Sequence, residues 1–388
     1  MEKIGMGLVG PGFIAAHHID AVRRLGYVDV VAIAGSNKNS AERKAAELNV
    51  DVAYGSYEEL IADPRVHVVH NTTPNHMHLP VSMAAIQAGK HVISDKPLAL
   101  TSTECASLRD AAAQAGVANA VTFNYRGNPL VQQMRQMVAA DELGAPIFLH
   151  GQYLQDWMTD PYVYSWRMDP AKGGESSALA DIGSHWCDLV EHVSDLRIEA
   201  VLADLTTAVK TRYSAGASAE AFSRGDRATS RPVEVTAEDL ACVLLRFNNG
   251  ARGILKVGQV LPGHKNDLQL EINGLKGSLR WEQEKQNELW IGSHNSANGV
   301  MAKDPSLMNT QARAYAHLPG GHQESWADAF RNVIADAYAW IRADADPSMK
   351  PPTVCDFAGG HRVCCIVEAI LRSYQEGGAW THVSAGQA

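Results

Sequence analysis

The sequence predicts an α/β protein in two parts: a doubly wound parallel sheet at the amino terminus, then an α+β domain built on a mainly antiparallel sheet. Three observations predict it. A strand, a glycine turn and a helix follow one another at residues 4–25. Short apolar runs then alternate with helical segments as far as Asn124. Beyond that point the strands lengthen, and Asn248-Asn249-Gly250 between two of them is a hairpin signal. The expected division is therefore 1–124 and 125–388, with the last helix, 356–374, a candidate to pack back on the first domain.

Ile4 to Val9 is apolar throughout and reads as a strand buried on both faces. Ile14, Ile19, Val22 and Leu25 then recur at helical spacing. Between them lies Gly10-Pro11-Gly12-Phe13-Ile14-Ala15. Gly10 permits a tight turn, and Gly12 lets the backbone approach a pyrophosphate with no Cβ in the way. Ala15 stands where a third glycine is usual and still allows helix and strand to pack closely. A phosphate would rest on the positive end of the helix.

Val28 to Ala34 is the second strand. It runs into Gly35-Ser36-Asn37-Lys38 without the acidic residue that grips a ribose 2′-hydroxyl. NAD and NADP both remain open; Ser36 and Lys38 favour the 2′-phosphate of NADP, although Lys38 also fits a solvated loop charge. Ser40 to Leu48 reads as a helix capped by Ser40. Val66–Thr72, His91–Ser94 and Val117–Phe123 are further strands, separated by helices over Pro80–Ala88 and Thr101–Ala115. In such sheets ligands bind at the carboxyl ends of the strands, where Thr73-Pro74-Asn75-His76-Met77-His78 and Asp95-Lys96-Pro97 fall.

The second part opens with a helix over Pro129–Ala140 and a strand over Pro146–Gln155. An aromatic loop with Trp157, Tyr162, Tyr164, Trp166 and Arg167 follows, then a helix bearing Asp181-Ile182-Gly183-Ser184-His185. Strands are expected at 198–208, 239–247, 251–260, 268–272, 278–282 and 288–291, and exposed loops at 214–232 and 293–318. Helices over Gln323–Ile341 and Asp356–Tyr374 close the chain.

Bulk properties limit the partners. A chain of 388 residues is long enough for two cores. Its formal charge of −9 carries no basic run, which argues against nucleic acid. No apolar stretch reaches membrane-spanning length. The start, Met1-Glu2-Lys3, leads straight into a strand with no signal-peptide pattern, so a cytoplasmic location is expected. The six cysteines form no Cys-x-x-Cys pair and read as reduced thiols. His76 and His78 lack a partner set at zinc spacing, and no metal is expected.

Lys96, Asp181 and His185 stand out as candidate chemistry. Hydride removal from a hydroxyl needs a base for the proton and a cation to favour the developing alkoxide. His185 and Lys96 meet those needs, and Asp181, four residues before His185 on one helix, can orient the substrate or the imidazole. Gly183 between them admits a close neighbour. A surface lysine and a helix-surface pair are the plain structural alternatives.

Gly-Leu-Val-Gly-Pro-Gly-Phe-Ile-Ala (7–15), Thr-Pro-Asn-His (73–76), Asp-Lys-Pro-Leu-Ala (95–99) and Asp-Ile-Gly-Ser-His-Trp-Cys-Asp (181–188) occur in an order that resembles the glucose–fructose oxidoreductase, inositol dehydrogenase and MocA family. The resemblance spans nearly the whole chain. It implies a Rossmann domain joined to an open-sheet domain, and an NAD(P)-dependent oxidoreductase acting on a secondary hydroxyl of a sugar, glycoside or cyclitol. A sugar ketone or aldehyde reductase running in reverse, and a dinucleotide-binding regulator without turnover, are the alternatives within it. Lys96 matches the catalytic lysine of the family's Glu-Lys-Pro, with Asp95 replacing the glutamate. Asp181 and His185 match its Asp-x-x-x-His pair. Dinucleotide contacts are expected from Gly10, Gly12, Phe13, Ile14, Ser36, Lys38, Thr73, Pro74, Asn75, His78, Asp95 and Lys96. Arg126, Trp157, Trp166, Arg167 and His322, with Asp181 and His185, are the substrate candidates, since sugar faces stack on aromatic rings. The family's open sheet often makes dimers or tetramers.

Overall fold

The computed structural model describes residues 3–214 and 227–384. The chain divides into two compact units: 1–124 with 171–173 and 330–364, and 125–170 with 174–329 and 365–388.

The first unit follows the alternation read from the sequence. Its elements run β1 (Ile4–Val9), α1 (Ala15–Arg23), β2 (Val28–Ala34), α2 (Lys38–Leu48), β3 (Ala53–Tyr54), α3 (Tyr57–Ala62), β4 (Val68–Asn71), α4 (His78–Gln87), β5 (His91–Ser94), α5 (Ser102–Ala115) and β6 (Asn119–Val121). All six strands are parallel, in the order β3-β2-β1-β4-β5-β6. The order reverses at β1, which places the ends of β1 and β4 at the switch point where such sheets bind ligands. Two local readings change. The cap of α2 is Asn37, whose side chain accepts from the Ser40 N–H, and not Ser40; the helix therefore starts earlier, at Lys38. The two-residue β3 has too little apolar alternation to show in sequence.

The second unit carries α6 (Pro129–Ala139), β7 (Pro146–Leu154), the single turn α7 (Pro170–Gly173), of which only Pro170 belongs to this unit, and α8 (Ser184–Ser194). Then come β8 (Ile198–Thr206), β9 (Thr211–Ser214), β10 (Arg231–Glu234), β11 (Leu240–Phe247), β12 (Arg252–Gly258), β13 (Asp267–Gly274), β14 (Gly277–Glu282), β15 (Glu288–Ser293), β16 (Gly299–Ala302) and the turn α9 (Thr310–Arg313). Helix α10 (Trp326–Arg342), which belongs to the first unit from residue 330 onward, α11 (Phe357–Gln375) and the short β17 (Thr381–His382) complete the chain. Nine strands form one sheet, β16-β15-β14-β13-β7-β12-β11-β8-β17, antiparallel except where β7 meets β12. The fully buried Trp186 of α8 packs onto it, its indole N–H donating to the Gln269 carbonyl at 2.9 Å. Gly151 of β7 lies beneath that indole, where a Cβ would come within 2.3 Å of it.

The loop expected at 293–318 contains β16, α9 and the buried Met308, Ala312 and Lys303. Polar sequence concealed its anchor: Lys303 donates to the Leu318 carbonyl and meets Glu324 at 3.4 Å, both side chains being 2 % exposed. Of the loop expected at 214–232, residues 215–226 lie outside the described residues, and its two ends pair as β9 and β10. The first part of the last helix belongs to the first unit, where the Phe357 N–H donates to Asn119 of β6.

Candidate active site

In the first unit the turn after β1 is built around two glycines with different duties. Gly10 has φ of +87°, and a Cβ there would stand 2.7 Å from the Thr73 Cα. Only glycine satisfies both the conformation and the contact. At Gly12 a Cβ would meet nothing nearer than the Gly10 carbonyl at 4.0 Å. The space above it is open, and Phe13 beside it is 58 % exposed. Helices α2, α3, α5 and α6 each carry a side-chain cap, from Asn37, Ser56, Thr101 and Asn128. Helix α1, which starts at this turn, has none, as is also true of α4 and α8. An open glycine backbone leading to an uncapped helix start fits the pyrophosphate of a dinucleotide.

Thr72 ties the end of β4 to this turn, its hydroxyl donating to the carbonyls of Val9 and Gly10 at 3.0 and 2.8 Å. Thr73 and Pro74 are half-buried beside it, whereas Asn75 is buried with its amide donating to the Gly173 carbonyl. His78 has both ring nitrogens against main-chain carbonyls. Its ring is 1 % exposed, and Nδ1 and Nε2 lie 2.6 and 2.8 Å from the carbonyl oxygens of Pro97 and Thr73. At the end of β5, Asp95 accepts from the Thr122 hydroxyl at 2.7 Å, so the shorter carboxylate has a fixed partner. The half-buried Lys96 precedes a cis Lys96–Pro97 bond. At the end of β2, Ser36 is exposed and the Lys38 ammonium donates to the Ala53 carbonyl at 2.5 Å, on the flank of the Tyr54 ring.

In the second unit a π-helical turn, Leu179–Gly183, leads into α8. Gly183 lets this turn sit against β12: a Cβ would come within 2.8 Å of Leu179 and 3.2 Å of Val257. The close neighbour is thus protein. Glu238 holds the start of the turn. One of its carboxylate oxygens accepts from the Ser176 hydroxyl and the N–H groups of Ser177 and Leu179 at 2.7, 3.0 and 2.9 Å. Burial pushes its pKa up while those donors pull it down.

Asp181 accepts from Arg167 Nε at 3.2 Å and from the Gln259 amide at 2.8 Å. His185 is 7 % exposed, its ring edge-on to Tyr125 at 5.1 Å and tilted against Tyr153 at 6.1 Å. The two phenol oxygens are 2.6 Å apart. The Asn266 amide donates to Tyr125 at 3.1 Å and its carbonyl accepts from Tyr153 at 2.7 Å, which closes a ring of hydrogen bonds beside the imidazole. Gln155 extends the network, donating to Asn266 and accepting from Gln259 and from the Trp157 indole. Arg167 stacks over Trp166 at 4.7 Å.

Two further substrate candidates have protein partners of their own. Arg126 makes a bidentate pair with the buried Asp188, at 2.8 and 2.6 Å. His322 lies exposed on a turn, its Nδ1 facing the Gly320 carbonyl at 3.4 Å. Tyr125, Tyr153, Gln155, Glu238, Gln259 and Asn266 escaped sequence reading. They come from separate strands and loops, and none forms a motif.

An open glycine turn at the switch point of a parallel sheet in one unit, and a carboxylate and an imidazole set among amides and phenols in the other, fit an NAD(P)-dependent oxidoreductase. Residues 4–123 match the oxidoreductase family with an NAD-binding Rossmann fold, and residues 131–280 match the GFO/IDH/MocA C-terminal domain. The chain is 30 % identical to levoglucosan dehydrogenase of Pseudarthrobacter phenanthrenivorans over 96 % of each chain. Among solved structures, levoglucosan dehydrogenase in complex with NADH and L-sorbose superposes with a TM-score of 0.89, at 26 % identity and full coverage of both chains. An inositol dehydrogenase homologue from Azotobacter vinelandii, complexed with NAD+, gives a TM-score of 0.86 at 25 % identity, covering 98 % of this chain and 97 % of that one. The protein belongs to the GFO/IDH/MocA oxidoreductase family.

Proposed function

We propose that the protein oxidises a secondary hydroxyl of a neutral sugar, anhydrosugar, glycoside or cyclitol. The observation that carries this reading is the surrounding of Asp181 and His185. Uncharged amides and phenols suit a substrate that offers hydroxyls, and Trp157 and Trp166 offer rings to an apolar sugar face. The sugar-acting relative of matching length supports it.

When bound, the nicotinamide supplies the acceptor for the hydride. His185 is the base for the hydroxyl proton, Lys96 the cation that favours the developing alkoxide, and Asp181 orients the substrate. Gly10, Gly12, Phe13, Ile14, Thr73 and Pro74 hold the dinucleotide. Arg167, engaged by Asp181, positions that carboxylate. At the end of β2 no carboxylate selects NAD; Lys38, which donates to Ala53, reaches a 2′-phosphate by exchanging that carbonyl for it.

The test is a panel of anhydrosugars, aldoses, glycosides and cyclitols, with NAD+ and NADP+ in turn. Rising absorbance of the reduced nicotinamide with at least one is expected. No reduction of either dinucleotide by any of them contradicts the reading.

Two further readings belong to the molecule's setting. The open face of the nine-stranded sheet joins copies of the chain into a dimer or tetramer, and exposed Leu244 and Ile254 on β11 and β12 support this. Sedimentation at micromolar concentration should show an oligomer that Ile254→Asp weakens; a monomer contradicts it. The enzyme works in the cytoplasm, for which free cysteines, five of the six buried, are the support. Fractionation of the source cells checks this. No helix among the described residues is long and apolar enough to cross a membrane.

A further inference from the structure

We propose that His78 is a positioning residue for Lys96, its imidazole bridging the loop after β4 to the loop after β5. The inference rests on the reading of Lys96 as the reacting ammonium. Three observations carry it. The ring is 1 % exposed, so it presents no edge to a ligand in solvent. Nδ1 lies 2.6 Å from the carbonyl of Pro97, the residue next to Lys96. Nε2 lies 2.8 Å from the carbonyl of Thr73, beside the glycine turn. The main chain of His78 is itself fixed, since the Asn71 amide donates to its carbonyl at 3.1 Å and to the Ser82 hydroxyl at 3.0 Å. One rigid ring thus sets the separation of the two loops expected to carry dinucleotide and ammonium.

The bridge is graded by protonation. A neutral imidazole owns one N–H, so it donates to one carbonyl while its other nitrogen faces oxygen lone pairs. The imidazolium donates to both. Burial works against the charge and holds the ring below its ordinary pKa. Asp95 and the two carbonyls favour the charge, and the Lys96 ammonium opposes it. The neutral ring with a single tie is therefore the form at pH 8. The second tie forms only at a pH low enough to protonate a ring that burial holds below the ordinary imidazole range.

The experiment uses the full chain in two arms. In the first, ring ¹⁵N spectra of histidine-labelled protein should show one slowly exchanging His78 N–H at pH 8 that persists with saturating NADH. A ring N–H in rapid exchange with water overturns the bridge, whatever the substrate proves to be, and this arm needs no variant to fold. In the second arm His78→Gln and His78→Leu are compared for NADH affinity and kcat. Gln retains one donor, and Leu retains none. The expected result is a kcat loss of at least about tenfold in His78→Leu and less in His78→Gln, with NADH affinity held within about threefold. A collapse of NADH affinity with kcat unchanged at saturation makes His78 a cofactor ligand and overturns the proposal. Wild-type protein without turnover on any polyol removes the assigned role of Lys96 instead, and the spectra still decide the bridge.

Discussion

Arg126 shows how a residue type can suggest one role and a partner impose another. A guanidinium close to the expected substrate domain invites a ligand, but this one is 13 % exposed and bound through two nitrogens to Asp188, which is 2 % exposed. Such a pair is weak evidence for net stability, yet removing one partner strands a buried charge. Asp188→Ala should therefore destabilise the protein by roughly 3–5 kcal/mol in urea unfolding. A loss under about 1 kcal/mol would mean that Arg126 finds solvent, and would return it to the list of substrate ligands. Lys96, Asp181 and His185 were legible in the sequence because each sits in a compact motif. Their supports were not, because Glu238 and Gln259 reach that helix, and Asn266 the phenols beside His185, from segments more than fifty residues away.

At the scale of elements, the strand–turn–helix at the amino terminus makes the sharpest division between fold and ligand binding. The two glycines differ in what a methyl group would meet. Gly10→Ala forces a Cβ to within 2.7 Å of main chain at a positive φ, so the first unit itself should suffer. Gly12→Ala adds a Cβ to open space. It should leave the melting temperature within a few degrees of wild type and weaken dinucleotide binding by at least about tenfold, read by titration calorimetry. Unchanged affinity in Gly12→Ala would remove the turn from the cofactor site. The alternation of strands and helices made the first unit readable, since parallel strands buried on both faces are continuous apolar runs. Residues 293–318 were misread for the opposite reason. Their order depends on a few buried groups, Lys303 and Met308 among them, set in an otherwise polar stretch.

Across the whole molecule, buried imidazoles set the response to acid. His18 and His70 share one hydrogen bond at 2.8 Å, and His70 continues to Tyr338 at 2.9 Å. Burial lowers the pKa of His18 to about 4, and moves His70, His78 and His192 in the same direction. The unfolded chain binds protons at 6.5 and the folded chain resists them, so stability is full above 6.5 and is lost as the pH falls towards 4. His18 alone should account for about 3 kcal/mol over that interval. Urea midpoints measured between pH 7 and 4.5 should fall steeply in the wild type and less steeply in His18→Gln. Parallel profiles would contradict this account of the pair.

The proposed division of labour, with Lys96 and His185 on the chemistry and the glycine turn on the cofactor, can be read from one comparison. Hydride transfer to the dinucleotide should be timed for wild type, Lys96→Ala and His185→Ala with the best substrate of the panel, alongside their affinities for the reduced cofactor. Each variant should lose about 10²–10⁴-fold in kcat and keep its cofactor affinity within about threefold. Turnover at the wild-type rate in either variant would contradict the assignment.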